Sequence, residues 1–396
     1  MTAAQRAFFP ALEGVRAVAA LGVLTTHVAF QTNLVDGSPL GAVLGRLDMA
    51  VAVFFALSGF LLWRPHAVAA RGGPAAASIR RYFRHRVVRI WPAYVVVVVV
   101  VLSLLPVARG ADLQVWLANL FLVQIYVPYT LTGGLTQMWS LAVEVSFYAV
   151  LPFVALGFAR LRGPRARLRV PVLLGVGLLS LVWAPIAAGF PLTAGVSATG
   201  WLPGHLPWFV AGMVLAELSV IWHGVSRPTN GVHRLLVDRR VMLPVALVLY
   251  VAACTPLAGP TGLDAVSSSA FVGKMVLGAL LGFALLAPLV LAPPGRSRWL
   301  ESAPMQALGR WSYAIFIWHL AVLSVVFALF GFASGAFWLI WPITVVLSVA
   351  VAAASYGFIE EPARQWLRAY ESRRSQRRSG QAADANTTLI ATSAGS

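Results

Sequence analysis

Ten stretches of the chain are apolar over about the length that crosses the hydrocarbon core of a bilayer, roughly 17–25 residues of helix. They begin near Pro10, Asp48, Pro92, Trp139, Val170, Leu206, Val241, Ala270, Leu308 and Ala336. The pattern predicts an all-α polytopic membrane protein with about ten transmembrane helices. A further apolar segment, DLQVWLANLFLVQIYVPY from Asp112 to Tyr129, is read as an interfacial or re-entrant piece. Counting it as a crossing would move the next arginine-rich loops to the other side. The first run holds Glu13, Arg16 and His27 and has no small-residue cleavage site, so it is expected to be a retained helix and not a removable signal peptide. The membrane domain is expected to fill 1–366. A polar, aromatic-poor tail, 367–396, is expected to be disordered.

Composition agrees with lipid as the solvent. Hydrophobic residues make up 59% of the 396 positions and charged residues only 11%, against about 25% charged in a soluble domain. Mean hydropathy is +0.80. The single cysteine, Cys254, excludes a disulfide framework and a cysteine-based metal cage, and no metal site is expected.

The net charge of +17 would suggest nucleic acid if it were spread evenly. Instead, 26 of the 30 lysines and arginines fall at alternate connections and the two ends. Lysine- and arginine-rich loops stay in the cytoplasm, so both termini are expected there, in a multi-pass protein of the cell membrane. The charge is a topology signal, and no nucleic-acid partner is implied.

Ionisable side chains inside a span are costly and usually mark function. Arg16 and His27 are eleven residues apart, three helical turns plus about 20°, and so share a face about 16 Å apart along the axis. In MWSLAVEVSFYAVLP, Ser140, Glu144 and Tyr148 recur every four residues on one face. With the fourth span running opposite to the first, Glu144 falls at a depth comparable with His27. It is expected to orient the His27 ring, leaving the other nitrogen free as a base. Before the third span, RRYFRHRVVRIWP carries Arg86 and Arg89 three apart on one face, suited to holding phosphate. The ninth span carries Ser312 and His319, seven apart and roughly on one face. His319 is equally compatible with a ligand-binding role and with a helix-to-helix hydrogen bond.

Six blocks in order, from Phe9 to Trp366, resemble the membrane acyltransferase-3 family, the sugar and macrolide O-acyltransferases. They are FPALEGVRAVAALGVLTTHVAF with Arg16 and His27, VAVFFALSGFLL with Ser58, RHRVVRIWPAY with Arg86 and Arg89, MWSLAVEVSFYAVLP with Ser140, Glu144 and Tyr148, GRWSYAIFIWHL with Ser312 and His319, and IEEPARQW. Glu13 stands where the family usually has Asp, and Ala17 where it often has Gly. Some members carry an appended extracytoplasmic hydrolase-like domain. None is read here, so the membrane domain is expected to act alone or with a separate partner.

The resemblance implies transfer of an acyl group from acyl-CoA, the donor substrate, to a hydroxyl of a carbohydrate or glycosylated acceptor, with no permanently bound cofactor. Arg86, Arg89 and Arg16 would hold the CoA nucleotide at the cytoplasmic face. His27 would act as base with Glu144 behind it. A covalent acyl-enzyme through Ser58 or Ser140 and direct transfer are both compatible with these residues. So are a cell-envelope glycan and a glycosylated metabolite such as a macrolide as acceptor. The rival class is a transporter or flippase for a sugar-linked substrate, which would use the same ionisable groups for proton coupling. Such proteins often show duplicated halves, and none are visible here.

Overall fold

The computed structural model describes residues 9–35, 38–190, 192, 195–223, 228–261, 266–292, 297–331, 335–374 and 376. Arg6 and the tail at 377–396 lie outside them. Every regular element among the described residues is helical. The chain runs through α1 (Pro10–Gln31), α2 (Pro39–Gly45), α3 (Ala50–Ala70), α4 (Ile79–Leu104), α5 (Leu113–Leu120), α6 (Met138–Gly157) and α7 (Arg169–Ser180). It continues through α8 (Trp183–Ala188), α9 (Leu202–Ile221), α10 (Gly231–Val237), α11 (Arg239–Ala253), α12 (Ser268–Val290), α13 (Ala303–Phe330) and α14 (Phe337–Ser355).

Nine helical segments among the described residues are long and apolar enough to cross a membrane. They match nine of the ten expected runs. The run near Val241 becomes α11, which at 15 residues is about 22 Å long and shorter than the rest. Its Leu247 and Val248 nevertheless point outward, as do Leu178, Leu179, Trp338 and Val346 on other spans, each with more than half its surface free. A belt of outward apolar side chains is what lipid solvates. The segment from Asp112 to Tyr129 holds only α5, eight residues long, capped by the Asp112 carboxylate on the Val115 amide at 2.8 Å. The turns that follow are tied down by Asn119 and Thr130. A helix of about 12 Å cannot cross.

The end of the chain differs from expectation. After a π turn at Tyr356–Glu360 the helix continues through Arg374. Residues 367–374 are therefore helical instead of part of a disordered tail. Leu367 is buried, and Glu371 accepts hydrogen bonds from Arg81 (2.9 Å), Arg84 and His85 (3.0 Å) at the start of α4. Charge pairing across to another helix supplies the order that composition alone did not indicate.

Two helix pairs carry the core. Along α3 and α9 the backbones touch: a Cβ on Gly212 would stand 1.8 Å from the Ala56 carbonyl oxygen, and one on Gly59 2.1 Å from that of Phe209. Small residues let helices approach where van der Waals packing replaces the hydrophobic effect. Phe209 then stacks between Phe55 (4.3 Å) and Phe147 (4.1 Å), joining α3, α9 and α6. The second pair is α1 with α13, closed in the same way by Gly309 against the Glu13 carbonyl. Gly212→Val is expected to destabilise the protein by about 2–3 kcal/mol or more, because a backbone must move to admit it. Gly157→Val, in open space, should be near neutral. Thermal unfolding of the two variants in the same detergent measures the difference.

Candidate active site

The site lies between α1, α3, α4, α6 and α13 and has two parts. The first is an internal cavity of about 130 Å³, lined among others by Arg16, Ser58, Arg86, Arg89, Glu144 and Ser312. Glu144 is its one carboxylate among the described residues. Its Oε1 accepts a short hydrogen bond from Ser58 Oγ and one of 2.5 Å from Tyr148 Oη. The four-residue spacing of Glu144 and Tyr148 makes the second contact a consequence of helix geometry. Arg16 Nε donates to Ser312 Oγ at 3.2 Å, and the Arg86 guanidinium stands 5.5 Å from the centre of the Tyr148 ring. Ser140 also lines the cavity, with its hydroxyl donating back to the Gln137 carbonyl at 3.2 Å.

Two open clefts adjoin this cavity and share lining residues with it. One, of about 400 Å³, shares Arg16, Arg86 and Arg89 with it and adds Arg310, Arg364 and Arg368. The other, of about 570 Å³, shares Leu61, Leu62 and Arg86. Arg86 therefore borders all three spaces.

The second part is a pair of histidines at the far end of α1. His319 Nε2 lies 3.2 Å from His27 Nδ1. Their protons follow from the remaining contacts. His319 Nδ1 is 2.7 Å from the Phe316 carbonyl and 3.2 Å from that of Ile315. Carbonyls only accept, so Nδ1 carries the hydrogen and Nε2 of the neutral ring offers a lone pair. His27 Nδ1 is 2.8 Å from the Val23 carbonyl and must likewise carry its hydrogen. That N–H points between Val23 and the His319 lone pair, and the lone pair of His27 is left on Nε2. His319 is fully buried and His27 half-buried. Phe54 and Phe316, 6.3 Å apart, both line the cavity, and Phe316 is also 6.0 Å from His319. Phe316 thus borders both the charged cavity and His319.

The structure therefore corrects the expected pairing of His27 with Glu144. Glu144 spends its contacts on Ser58 and Tyr148, and the ring behind His27 is His319. The physical reason is that α1 packs along α13: Arg16 meets Ser312 and His27 meets His319. Arg86 and Arg89 come together on the cavity wall as their spacing suggests, while Arg81 and Arg84 are taken up by Glu371.

Two residues were not singled out in the sequence. Tyr313 lines the cavity and donates to the Ile90 carbonyl at 2.8 Å. Glu360 sits in the π turn, buried, within electrostatic range of Arg89 and Arg16 and with Oε1 lacking a partner. The acidic pair that ends the last apolar run was its available signal. Among the described residues, no three His, Cys, Asp or Glu side chains are grouped to hold a metal ion.

A family model described as an acyltransferase domain matches residues 9–357. The chain belongs to the acyltransferase-3 family. Among its relatives is the peptidoglycan O-acetyltransferase OatA of Listeria monocytogenes, 23% identical over 91% of this chain and 56% of the relative. Acyltransferase MdmB of Streptomyces mycarofaciens is 29% identical over 81% of each chain. Nodulation protein 10 of Rhizobium leguminosarum is 28% identical over 82% of this chain and 84% of the relative. The chain thus spans about half the length of the peptidoglycan acetyltransferase and most of the other two relatives. No solved structure matches.

Proposed function

We propose that this acyltransferase-3 protein is an integral membrane O-acyltransferase, moving an acyl group from acyl-CoA to a hydroxyl of a carbohydrate or glycosylated acceptor. The observation that carries the reading is the arrangement along α1: a guanidinium cluster at one end and, about 16 Å away, an imidazole whose free nitrogen is a lone pair. The relatives support the reaction class, since their names include a peptidoglycan O-acetyltransferase and an acyltransferase. Arg16, Arg86 and Arg89 bind donor phosphate, and the acyl thioester reaches along α1 toward His27. His27 Nε2 takes the proton of the acceptor hydroxyl as its oxygen attacks the thioester carbonyl. The tetrahedral adduct collapses, the C–S bond breaks, and the CoA sulfur leaves with the proton returned by His27. Glu144 holds the Ser58 and Tyr148 hydroxyls and supplies the counter-charge to the three arginines. With both termini and the arginine-rich connections in the cytoplasm, the donor enters from that side.

Arg86→Ala and Arg89→Ala are each expected to raise the acyl-CoA KM about tenfold with little change in kcat, as loss of a charged hydrogen bond in ground state and transition state alike. In sealed vesicles of known orientation, acyl-CoA should be consumed only from the arginine-rich side. Equal use from both faces, or a defect confined to kcat, would refute the donor assignment.

A further inference from the structure

The larger of the two clefts has a composition that the proposed donor path does not explain. Four arginines and two histidines line its 570 Å³, and among the described residues no aspartate or glutamate does. In the 400 Å³ cleft, by contrast, Glu13 and Glu371 stand among the arginines. Carboxylates within a cation-lined space lower its attraction for an anion. Arg81 and His85 reach out of the larger cleft to Glu371, and Arg169 is backed by Glu217, which leaves Arg86 and Arg162 as its lining arginines with no carboxylate partner among the described residues.

The guanidiniums of the larger cleft are also incompletely used. Arg169 is buried, donates through Nε to Glu217 at 2.7 Å, and keeps Nη2 buried with no partner. A buried, unpartnered donor is costly and fits a site completed by a ligand. Arg86 stands at the inner end, its Nε also buried without a partner. Arg162 stands exposed at the rim. Between these cations the wall is apolar: Pro65, Ile79, Leu156 and Phe158. Leu61, Leu62 and Arg86 line both this cleft and the cavity of Glu144.

We infer that this cleft seats the phosphorylated adenosine of the donor, with the adenine on the apolar wall and phosphates on Arg162, Arg169 and Arg86. The inference rests on the acyl-CoA reading and adds residues to it: Arg162 and Arg169 become part of the donor site, and the 400 Å³ cleft does not. Anchored there, the pantetheine arm passes Arg86 and enters the inner cavity between Leu61 and Leu62. A phospholipid headgroup shares the phosphate chemistry but has no flat heteroaromatic ring for the apolar wall.

The test uses the full chain in nanodiscs, with CoA and adenosine 3′,5′-bisphosphate as probes and calorimetry as the readout. Adenosine 3′,5′-bisphosphate should compete with CoA. Arg162→Glu should weaken both by about tenfold or more, the loss of a charged hydrogen bond plus repulsion. Ala76→Trp, which fills the cleft from its loop, should do the same without touching a charge. Arg310→Ala, in the other cleft, should change CoA affinity less than about twofold. Wild-type CoA affinity in both Arg162→Glu and Ala76→Trp would overturn the inference and leave the donor reading standing. Absence of CoA binding by the wild-type protein would overturn both. Nanodiscs of phosphatidylcholine with and without phosphatidylglycerol separate the lipid source. If Arg162→Glu changes phosphatidylglycerol retention and leaves nucleotide binding intact, the cleft is a lipid site and the inference fails.

Discussion

Replacing His27 with alanine is expected to lower kcat roughly a thousandfold, within the range that a positioned general base supplies, in a protein that still folds and inserts. In the proposed mechanism His27 presents one nitrogen to the protein and one to the reaction. The committed one is Nδ1, whose hydrogen lies between the Val23 carbonyl and His319. The ring therefore cannot turn without losing a hydrogen bond in a low-dielectric interior, where an unmade one costs most. Alanine removes the base and leaves α1 intact, because the helix is held to α13 by other contacts, such as Gly309 against Glu13 and Arg16 on Ser312. The donor KM should change little, since the arginine cluster lies at the other end of the helix. Turnover by purified, correctly folded His27→Ala at the wild-type rate would remove His27 from the mechanism.

Most of this architecture is visible in the sequence because lipid imposes a simple rule: a span is a long apolar run. The rule placed nine helices, and it placed α5 outside the crossings. It overestimated the run near Val241, where Asp238 caps the helix start and the helix ends at Ala253. It also misjudged the chain after Trp366, since Glu371 is held by side chains of α4 that are nearly 300 positions away. The site divides in the same way. Helical spacing is local information, so Arg86 with Arg89, and Glu144 with Tyr148, were legible as pairs. Which helix faces which is not local. Depth alone made Glu144 the natural neighbour of His27, and depth does not say that α1 lies along α13. Ser312 and His319 share a face of α13 as Arg16 and His27 share one of α1, but only the packed structure says that these two faces meet.

That pairing sets the last expectation: His319→Ala should lower kcat about a hundredfold with the acyl-CoA KM unchanged, making His319 a positioning residue and not one that touches substrate. In the proposed mechanism, His27 becomes an imidazolium when it accepts the acceptor's proton, and its Nδ1–H then becomes a stronger donor. The His319 lone pair faces that N–H at 3.2 Å. It is fixed there because the opposite nitrogen is anchored on the Phe316 carbonyl at 2.7 Å. A neutral imidazole thus does the work that a carboxylate does in a Ser-His-Asp triad, orienting the base and sharing its positive charge. Without it, His27 keeps only the Val23 carbonyl. His319→Gln discriminates this role from packing, because the glutamine amide oxygen can accept from His27 Nδ1 while an alanine methyl cannot. Glutamine should therefore recover at least part of the lost kcat, and the pH–rate profile should return toward that of the wild-type protein. Equal losses in His319→Ala and His319→Gln, accompanied by equal falls in melting temperature, would reduce the histidine pair to a contact between two helices.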